Sequence, residues 1–434
     1  MRRCLIVSPH FPPSTVAGVH RARHLAKHLP AYGWEPVVIT VDPVQHVEAQ
    51  DPGLRGLVPA DLRIIETGAL SARWTAPLGL KGEIGLRGFW HLRRAIAREI
   101  RQTRPDAVLI TGSPFYPLLL ASWIKRSWGI PVVLDLQDPW ASNEGVGRTR
   151  WSKGWYAHQL AVLLEPRALR GASWITTVSE RQNSDLAARY RWLDASRMSA
   201  IPIGGDPEDY AALRAGPAHL DTGPDTDTDT DTVTGTVTFS YVGTALPRAA
   251  PLLSILFEGL AKLRARAPQL AGRLRLQFVG TSNQPGHSDD YRVVPLAQTA
   301  GVADLVTEQP GRMPYLDALR ILAGTHVVLM IGSDEPHYTA SKIYPALMSG
   351  RPFLSVFHEA SSAHTVLSAA GGGIALAYVG ENQREGLIAQ IAAGLEQLAL
   401  RPEQLGRADQ ATYADFTAHA VAGQYASVFE ELTR

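Results

Sequence analysis

The chain has 434 residues, of which 45% are hydrophobic and 19% charged, and its formal net charge is +1. That length exceeds what one hydrophobic core supports and calls for two to three domains. The composition excludes a disordered chain, and the near-neutral balance gives no bulk electrostatic reason for nucleic-acid binding.

A single cysteine, Cys4, excludes an intrachain disulfide framework and a multi-cysteine metal site. It falls in an apolar run and reads as core. No apolar run approaches the ~18–20 residues of a membrane span. Met1-Arg2-Arg3 leads directly into a strand-like segment with no apolar leader before it. The expectation is a cytoplasmic protein, soluble or held peripherally at the inner face of the membrane. Basic segments such as His91-Leu92-Arg93-Arg94 and Lys125-Arg126 suit an anionic surface. Each also reads as a solvated helix face.

From the amino terminus, Cys4-Leu5-Ile6-Val7 reads as a buried strand. Ser8-Pro9-His10-Phe11-Pro12-Pro13 breaks it and Ala17-Gly18-Val19 follows. The spacing of Leu25, Ala26 and Leu29 predicts a helix over 20–32. Gly33 turns into a second strand over 36–41. A strand–helix–strand series implies a parallel sheet with a right-handed crossover. The 8–18 loop then lies at the carboxyl end of the first strand, where open α/β sheets bind ligands. It lacks G-x-G-x-x-G, which argues against a dinucleotide there.

Residues 43–88 give no clear elements. A basic helix is expected over 89–103, a strand over 107–111 and an apolar helix over 116–128. The strand over 131–136 ends in the charged and aromatic cluster Gln137-Asp138-Pro139-Trp140. A strand over 173–178 runs into Ser179-Glu180, which cap the next helix. A short strand over 199–203 ends in Gly204-Gly205-Asp206. Tyr116, Trp140, Trp151 and Trp155 put aromatic surface near the edge of this first block, for core packing, sugar stacking or contact with a lipid carrier.

Residues 221–232, DTGPDTDTDTDT, have almost nothing to bury and are expected to form a mobile acidic loop. They lack the glycine and terminal glutamate of an EF-hand loop. A second α/β block follows. Its strand over 237–242 closes on Gly243-Thr244, a helix covers 250–266, and a strand over 274–279 ends in Gly280. Val306-Thr307-Glu308 leads to Gly311-Arg312-Met313-Pro314, then a helix over 315–323 and a strand over 326–331. The tail from 383 onward is expected to be largely helical.

Residues 333–357, SDEPHYTASKIYPALMSGRPFLSVF, read as loop, short helix, turn and strand. Ser341 falls at the helix N-cap, and Lys342 and Ile343 open the helix. A helix start carries unpaired N–H groups and the positive end of the dipole, so it can hold a phosphate, and the lysine adds a full charge. The same pattern also fits an ordinary serine cap beside a solvated lysine. The fold class expected is α/β, with two Rossmann-like domains facing an inter-domain cleft. The divisions are 1–205, a linker over 206–236, a second domain over 237–410, and a terminal helix over 411–434 packing back on the first domain.

Six motifs in order carry a family resemblance: IVSPHFPPSTVAGVHRARHLAKHL at 6–29, LDLQDPW at 134–140, WITTVSE at 174–180, IPIGGDPEDY at 201–210, SYVGT at 240–244 and SKIYPALMSGRPFL at 341–354. On these the chain resembles a glycosyltransferase of the two-domain GT-B architecture, close to family 4. The resemblance implies that the second domain binds a nucleotide-activated sugar and the first supplies most of the acceptor site. It places backbone groups of Ala17, Gly18 and Val19 by the donor diphosphate. It puts a basic pair after the strand that ends in Gly243-Thr244, where Arg248 is the local candidate and Lys342 supplies the second charge. An arginine grips phosphate with two parallel hydrogen bonds. Gly311, Arg312 and Met313 match the loop that reads the base.

The sequence also departs from the family. Two glutamates with seven residues between them usually flank the helix start at 343; here His337 and Pro345 occupy those places. Asp334 or Glu335 is the expected substitute toward the sugar, and Glu359 toward the ribose. Gln137 stands where many relatives have histidine, which leaves Asp138 as the acidic group. The reaction implied is sugar transfer from a nucleotide-sugar co-substrate to a glycan, lipid carrier or small-molecule acceptor, in polysaccharide or glycoconjugate synthesis. Retention by front-face substitution is implied, and Arg248 and Lys342 stabilise the leaving diphosphate without a metal. Two other classes stay open on the same architecture: a sugar-nucleotide epimerase or hydrolase, and a catalytically silent sugar-nucleotide-binding protein.

Overall fold

The computed structural model describes residues 1–77, 79–141, 149–215, 235–282, 289–334 and 341–434. The Asp-Thr-rich stretch expected to be mobile lies outside them. The chain divides into two compact units, Met1–Ile203 with Ala418–Arg434, and Gly204–Thr417.

The first unit is built on seven strands: β1 (Arg2–Val7), β2 (Trp34–Val41), β3 (Arg63–Thr67), β4 (Ala107–Gly112), β5 (Val132–Leu136), β6 (Trp174–Thr177) and β7 (Met198–Ala200). They lie in the order β3-β2-β1-β4-β5-β6-β7, and every pairing is parallel. Both faces are covered, so the central strands are apolar almost throughout. Leu5, Val7, Val37 and Ile39 enter one core layer with Leu92 and Ile96. Cys4, Ile6, Val38 and Leu109 face the other with Leu25, Tyr425 and Phe429. The edge strand β3, RIIET, is half-exposed, which explains why its sequence carries no buried-strand signal.

The last helix, Ala418–Leu432, closes this second layer. It buries Val421, Ala422, Tyr425 and Phe429, and the Phe429 ring stands 5.2 Å from Trp34.

The second unit carries β8 (Val237–Val242), β9 (Leu274–Val279), β10 (Val306–Gln309), β11 (Val327–Ile331), β12 (Phe353–His358) and β13 (Gly373–Tyr378). Their order is β10-β9-β8-β11-β12-β13, again all parallel. Helices Ala250–Arg266 and Arg384–Leu400 pack against each other through Gly259, where an added Cβ would come 2.8 Å from Ile391 Cβ. Residues 207–215, expected within a linker, form a helix whose start is held by Asp206 accepting from the Glu208 amide at 3.0 Å. Among the described residues, no helix is long and apolar enough to cross a membrane.

Truncating Phe429 to alanine should remove ~3–5 kcal/mol from the first unit, the usual cost of emptying a buried phenylalanine site. Urea unfolding followed by tryptophan fluorescence should show an earlier transition for Phe429→Ala. An unchanged midpoint would contradict the role given to the final helix.

Candidate active site

In the first unit the sheet order reverses between β1 and β4, and ligand loops of open α/β sheets gather at such a switch. The loops after β1, β4 and β5 meet there. Gly18 is the N-cap of the helix Val19–His28. A Cβ added to it would lie 3.1 Å from Gln137 Oε1 and 3.6 Å from the Ser113 carbonyl, so a glycine suits this close approach. Ala17 is exposed, and the Ala17 and Gly18 amides find no acceptor among the described residues. The third expected amide, Val19, already donates to the Val16 carbonyl at 3.1 Å, and its side chain is buried. The open backbone donors are therefore those of Ala17 and Gly18.

Gln137 is fixed from behind. Its Nε2 donates to Asp135 Oδ2 at 3.0 Å, which leaves Oε1 on the Gly18 side. Asp135 is fully buried in β5 and accepts three further hydrogen bonds: from Thr176 at 3.0 Å, Tyr425 at 2.7 Å and Arg21 Nε at 3.3 Å. Arg21, also fully buried, donates to the Pro202 carbonyl at 2.8 Å and to the Ile201 carbonyl, and lies 5.1 Å from the Tyr425 ring centre. This ion pair is dry but fully hydrogen-bonded, the condition under which a buried pair is tolerated. Burial lifts the Tyr425 hydroxyl well above its usual range, so it stays a donor.

Asp138 follows on the loop and is exposed. Desolvation by surrounding protein raises its carboxyl above the ordinary carboxylate value, a shift that its contact with water tempers. Trp140 stacks on Phe115 at 5.4 Å with 8° between planes and meets Tyr116 edge-on at 5.9 Å.

In the second unit the order reverses between β8 and β11, and their loops come together. Lys342 Nζ donates to the Thr244 carbonyl at 3.1 Å and lies 5.8 Å from the Tyr241 ring centre. Gly243 has φ 132°, and a Cβ there would overlap the lysine side chain. Desolvation first, and the charge of Arg312 second, pull the Lys342 ammonium down to about 8. The lysine keeps exposed surface, which tempers that shift too.

The expected serine cap is corrected. The helix spans Ile343–Met348 with Lys342 at the N-cap and no capping side-chain bond. Lys342 already has helical φ and ψ of −67° and −19°, and Pro345 removes one N–H from the first turn. A six-residue helix of this kind adds little on its own, so the positive charge here is the ammonium of Lys342. Ser341 is half-buried beside it, and Ile343 is buried core.

Arg248 stands in the short turn Pro247–Ala249 before the helix Ala250–Arg266 and is half-buried. Arg292 joins the same loop, donating to the Ala245 carbonyl at 3.1 Å while paired with Asp290 at 2.9 Å. Gly311, Arg312 and Met313 follow β10, with Arg312 exposed. Glu359 is exposed just past β12. Glu335 and His337 lie outside the described residues. Pro345 takes a packing role, its carbonyl accepting from the Tyr210 hydroxyl at 2.6 Å.

Sequence reasoning missed Arg21, Asp135, Tyr425, Ser113 and Arg292. The one signal available was Asp135 itself, an acid inside the apolar run Val132-Val133-Leu134-Asp135-Leu136, where a lone charge needs a partner.

Replacing Asp135 by alanine strands the Arg21 charge and should cost ~3–5 kcal/mol. Tyr425→Phe removes one hydrogen bond to a charged group and should cost ~1.5–3 kcal/mol. Thermal unfolding should rank the two in that order; equal stability of Asp135→Ala and the parent would refute the network.

Residues 17–204 match the model of the glycosyl transferase 4-like domain. Among curated proteins no match was found. Solved structures of similar fold include Anabaena Alr3699/HepE in complex with UDP and glucose, 15% identical with a TM-score of 0.59 over 99% of this chain and 100% of that one. A UDP-forming α,α-trehalose-phosphate synthase from Burkholderia vietnamiensis is 13% identical, with a TM-score of 0.60 over 100% and 99% of the two chains. WaaG, a glycosyltransferase involved in lipopolysaccharide biosynthesis, is 14% identical, with a TM-score of 0.56 over 98% and 99%. At these identities the likeness speaks for the fold. The two parallel-sheet units have the GT-B architecture of these glycosyltransferases, and the first carries the glycosyl transferase 4-like sequence pattern.

Proposed function

We propose that this protein transfers a sugar from a nucleoside-diphosphate sugar to an acceptor. The second unit holds the nucleotide and the first supplies groups for the acceptor. The observation that carries this reading is Lys342 lying on the Gly243-Thr244 loop at the sheet's switch point. Its ammonium is destabilised there by desolvation and by Arg312. Such a site gains when an anion arrives. The UDP complex of the similarly folded HepE supports a nucleoside diphosphate as that anion.

Departure of the diphosphate builds negative charge on its oxygens. Lys342 and Arg248 are suited to stabilise it, and the Ala17 and Gly18 amides offer donors in the first unit. The transfer as proposed needs no metal, because these cations neutralise the leaving diphosphate. Retention by front-face substitution remains the stereochemical proposal, and Asp138 is the acidic group offered to the acceptor. Mass spectrometry of donor incubated alone separates this reading from an epimerase or hydrolase, which would convert donor without an acceptor.

A membrane-borne acceptor is favoured by one face of the first unit. Helix Lys153–Leu169 leaves Tyr156, Leu160, Val162 and Leu163 exposed, with Trp151 just before it. A groove of about 540 Å³ nearby is lined by Lys125, Arg126, Arg167 and Arg170. Apolar and cationic surface together fit an anionic bilayer. Co-sedimentation should be stronger with phosphatidylglycerol vesicles than with phosphatidylcholine vesicles, and Arg126→Glu with Arg167→Glu should weaken it. Equal partitioning to both vesicles would reject this contact.

The charge on Lys342 sets a pH test. The ammonium is charged below about 8 and lost above it. Nucleoside-diphosphate affinity should therefore fall as pH rises through that value, and a bound diphosphate should push the lysine pKa back up. Lys342→Ala should weaken binding roughly 10- to 100-fold, the worth of one charged hydrogen bond, and abolish that pH step. Arg248→Ala should cut sugar transfer severely, read as released nucleotide. Transfer at the parent rate would remove Arg248 from the phosphate site.

A further inference from the structure

One cluster in the first unit has no part in the transfer site described above. His10 lies in the loop after β1, and His46 and Glu48 lie in the segment after β2. The two imidazoles aim their Nδ1 atoms at the same carboxylate oxygen, Glu48 Oε1, at 2.9 Å from His10 and 2.6 Å from His46. Their ring centres are 5.1 Å apart. Ser14 Oγ donates to the same oxygen at 3.0 Å. One ligand atom from each of His10, His46 and Glu48 falls within 4.8 Å of the others.

The hydrogen bonds decide what can sit between these atoms. His46 Nε2 is 3.1 Å from the Val41 carbonyl, which only accepts, so Nε2 carries the proton. In the neutral ring, Nδ1 is then a bare lone pair pointing at a carboxylate oxygen. Two acceptors that close repel each other unless they share a proton or a cation takes both lone pairs from the side, at about 2.0–2.2 Å from each. A backbone carbonyl holding the far nitrogen is also the usual support of a metal-binding histidine. Arg87 is the nearby competing cation. Its guanidinium is committed to the carbonyls of Leu70, Lys81 and Gln45, and it makes no ion pair with Glu48 among the described residues.

We infer that His10, His46 and Glu48 form a binding site for a divalent transition metal of the zinc class. Two imidazole nitrogens and one carboxylate suit zinc, cobalt or nickel better than magnesium or calcium, and three protein ligands leave a position open. The site would fasten the post-β1 loop to the post-β2 segment. These already touch through the Thr15 hydroxyl donating to the Ala49 carbonyl at 2.9 Å and the Asp51 amide donating to the Pro13 carbonyl at 2.8 Å. The loop so fastened is the one that ends in Ala17 and Gly18. The metal's role is to position that loop, and it takes no part in the transfer step.

The test uses the full chain, stripped with a chelator and titrated with zinc chloride in a calorimeter, with cobalt(II) as an optical probe. The parent should take up one equivalent, unfold at a higher temperature with zinc, and give cobalt bands of a nitrogen- and oxygen-ligated site. Glu48→Gln keeps the side-chain volume and should weaken uptake at least ~10-fold, as should His46→Ala. Circular dichroism establishes that each variant is folded, and the conservative glutamine variant serves if the alanine variant is not. A stripped parent that binds neither metal, or a folded Glu48→Gln that binds zinc as tightly as the parent, would overturn the site. In that case a shared proton bridges the three groups.

Discussion

A parallel sheet sends the loop after every strand out at one edge, and both units are parallel throughout. That constraint brings residues far apart in sequence onto common ground. Gly18, Ser113 and Gln137 meet in the first unit, and Gly243, Thr244 and Lys342 in the second. At each meeting point a glycine faces a closely packed side chain: a Cβ would overlap Lys342 at Gly243 and crowd Gln137 Oε1 at Gly18. Chemistry is therefore placed by topology first and by individual residues second.

What the edge presents is set by groups beneath it. In the first unit the Asp135 carboxylate gathers donors from Arg21, Gln137, Thr176 and Tyr425. It joins the first helix, two central strands and the last helix of the chain, and it orients the Gln137 amide toward Gly18. Such a network offers specificity more than stability, since desolvation consumes much of the Coulomb gain. In the second unit the arrangement is inverted. Lys342 is left with a carbonyl, an aromatic face and a nearby arginine, and it has no carboxylate partner among the described residues. The first charge is buried and fully answered, while the second keeps access to water and is poised to accept an anion.

The regular parts of this fold were legible in the sequence. The runs at 4–7 and 107–111 are apolar because both their faces are buried, those at 237–242 and 274–279 alternate apolar with polar residues, and the helix at 250–266 fell where its spacing put it. β3 and β13 were not legible. β3 is a half-exposed edge, and β13 follows Gly371 and Gly372, whose positive φ values of 61° and 72° read as a turn. The site was legible as a set of loops and not as a set of contacts. Lys342 could be suspected from its charge, but its place on the Thr244 carbonyl depends on a pairing of β8 and β11 that spans about ninety residues of sequence. The serine cap failed because a one-residue shift in the helix start moves the cap from Ser341 to Lys342. Tyr425 was invisible for a similar reason, since its partner Asp135 is 290 residues away.

The central claim is that the second unit recognises a nucleotide through its diphosphate. Calorimetric titration of the parent protein with a nucleoside, its monophosphate and its diphosphate, for uridine, guanosine and thymidine in turn, tests it most directly. The account predicts that for at least one base the diphosphate binds ~10-fold or more tighter than the monophosphate, the nucleoside weakest, with the contrast shrinking as salt is raised. Equal affinity along the series for every base, or no binding at all, would contradict it.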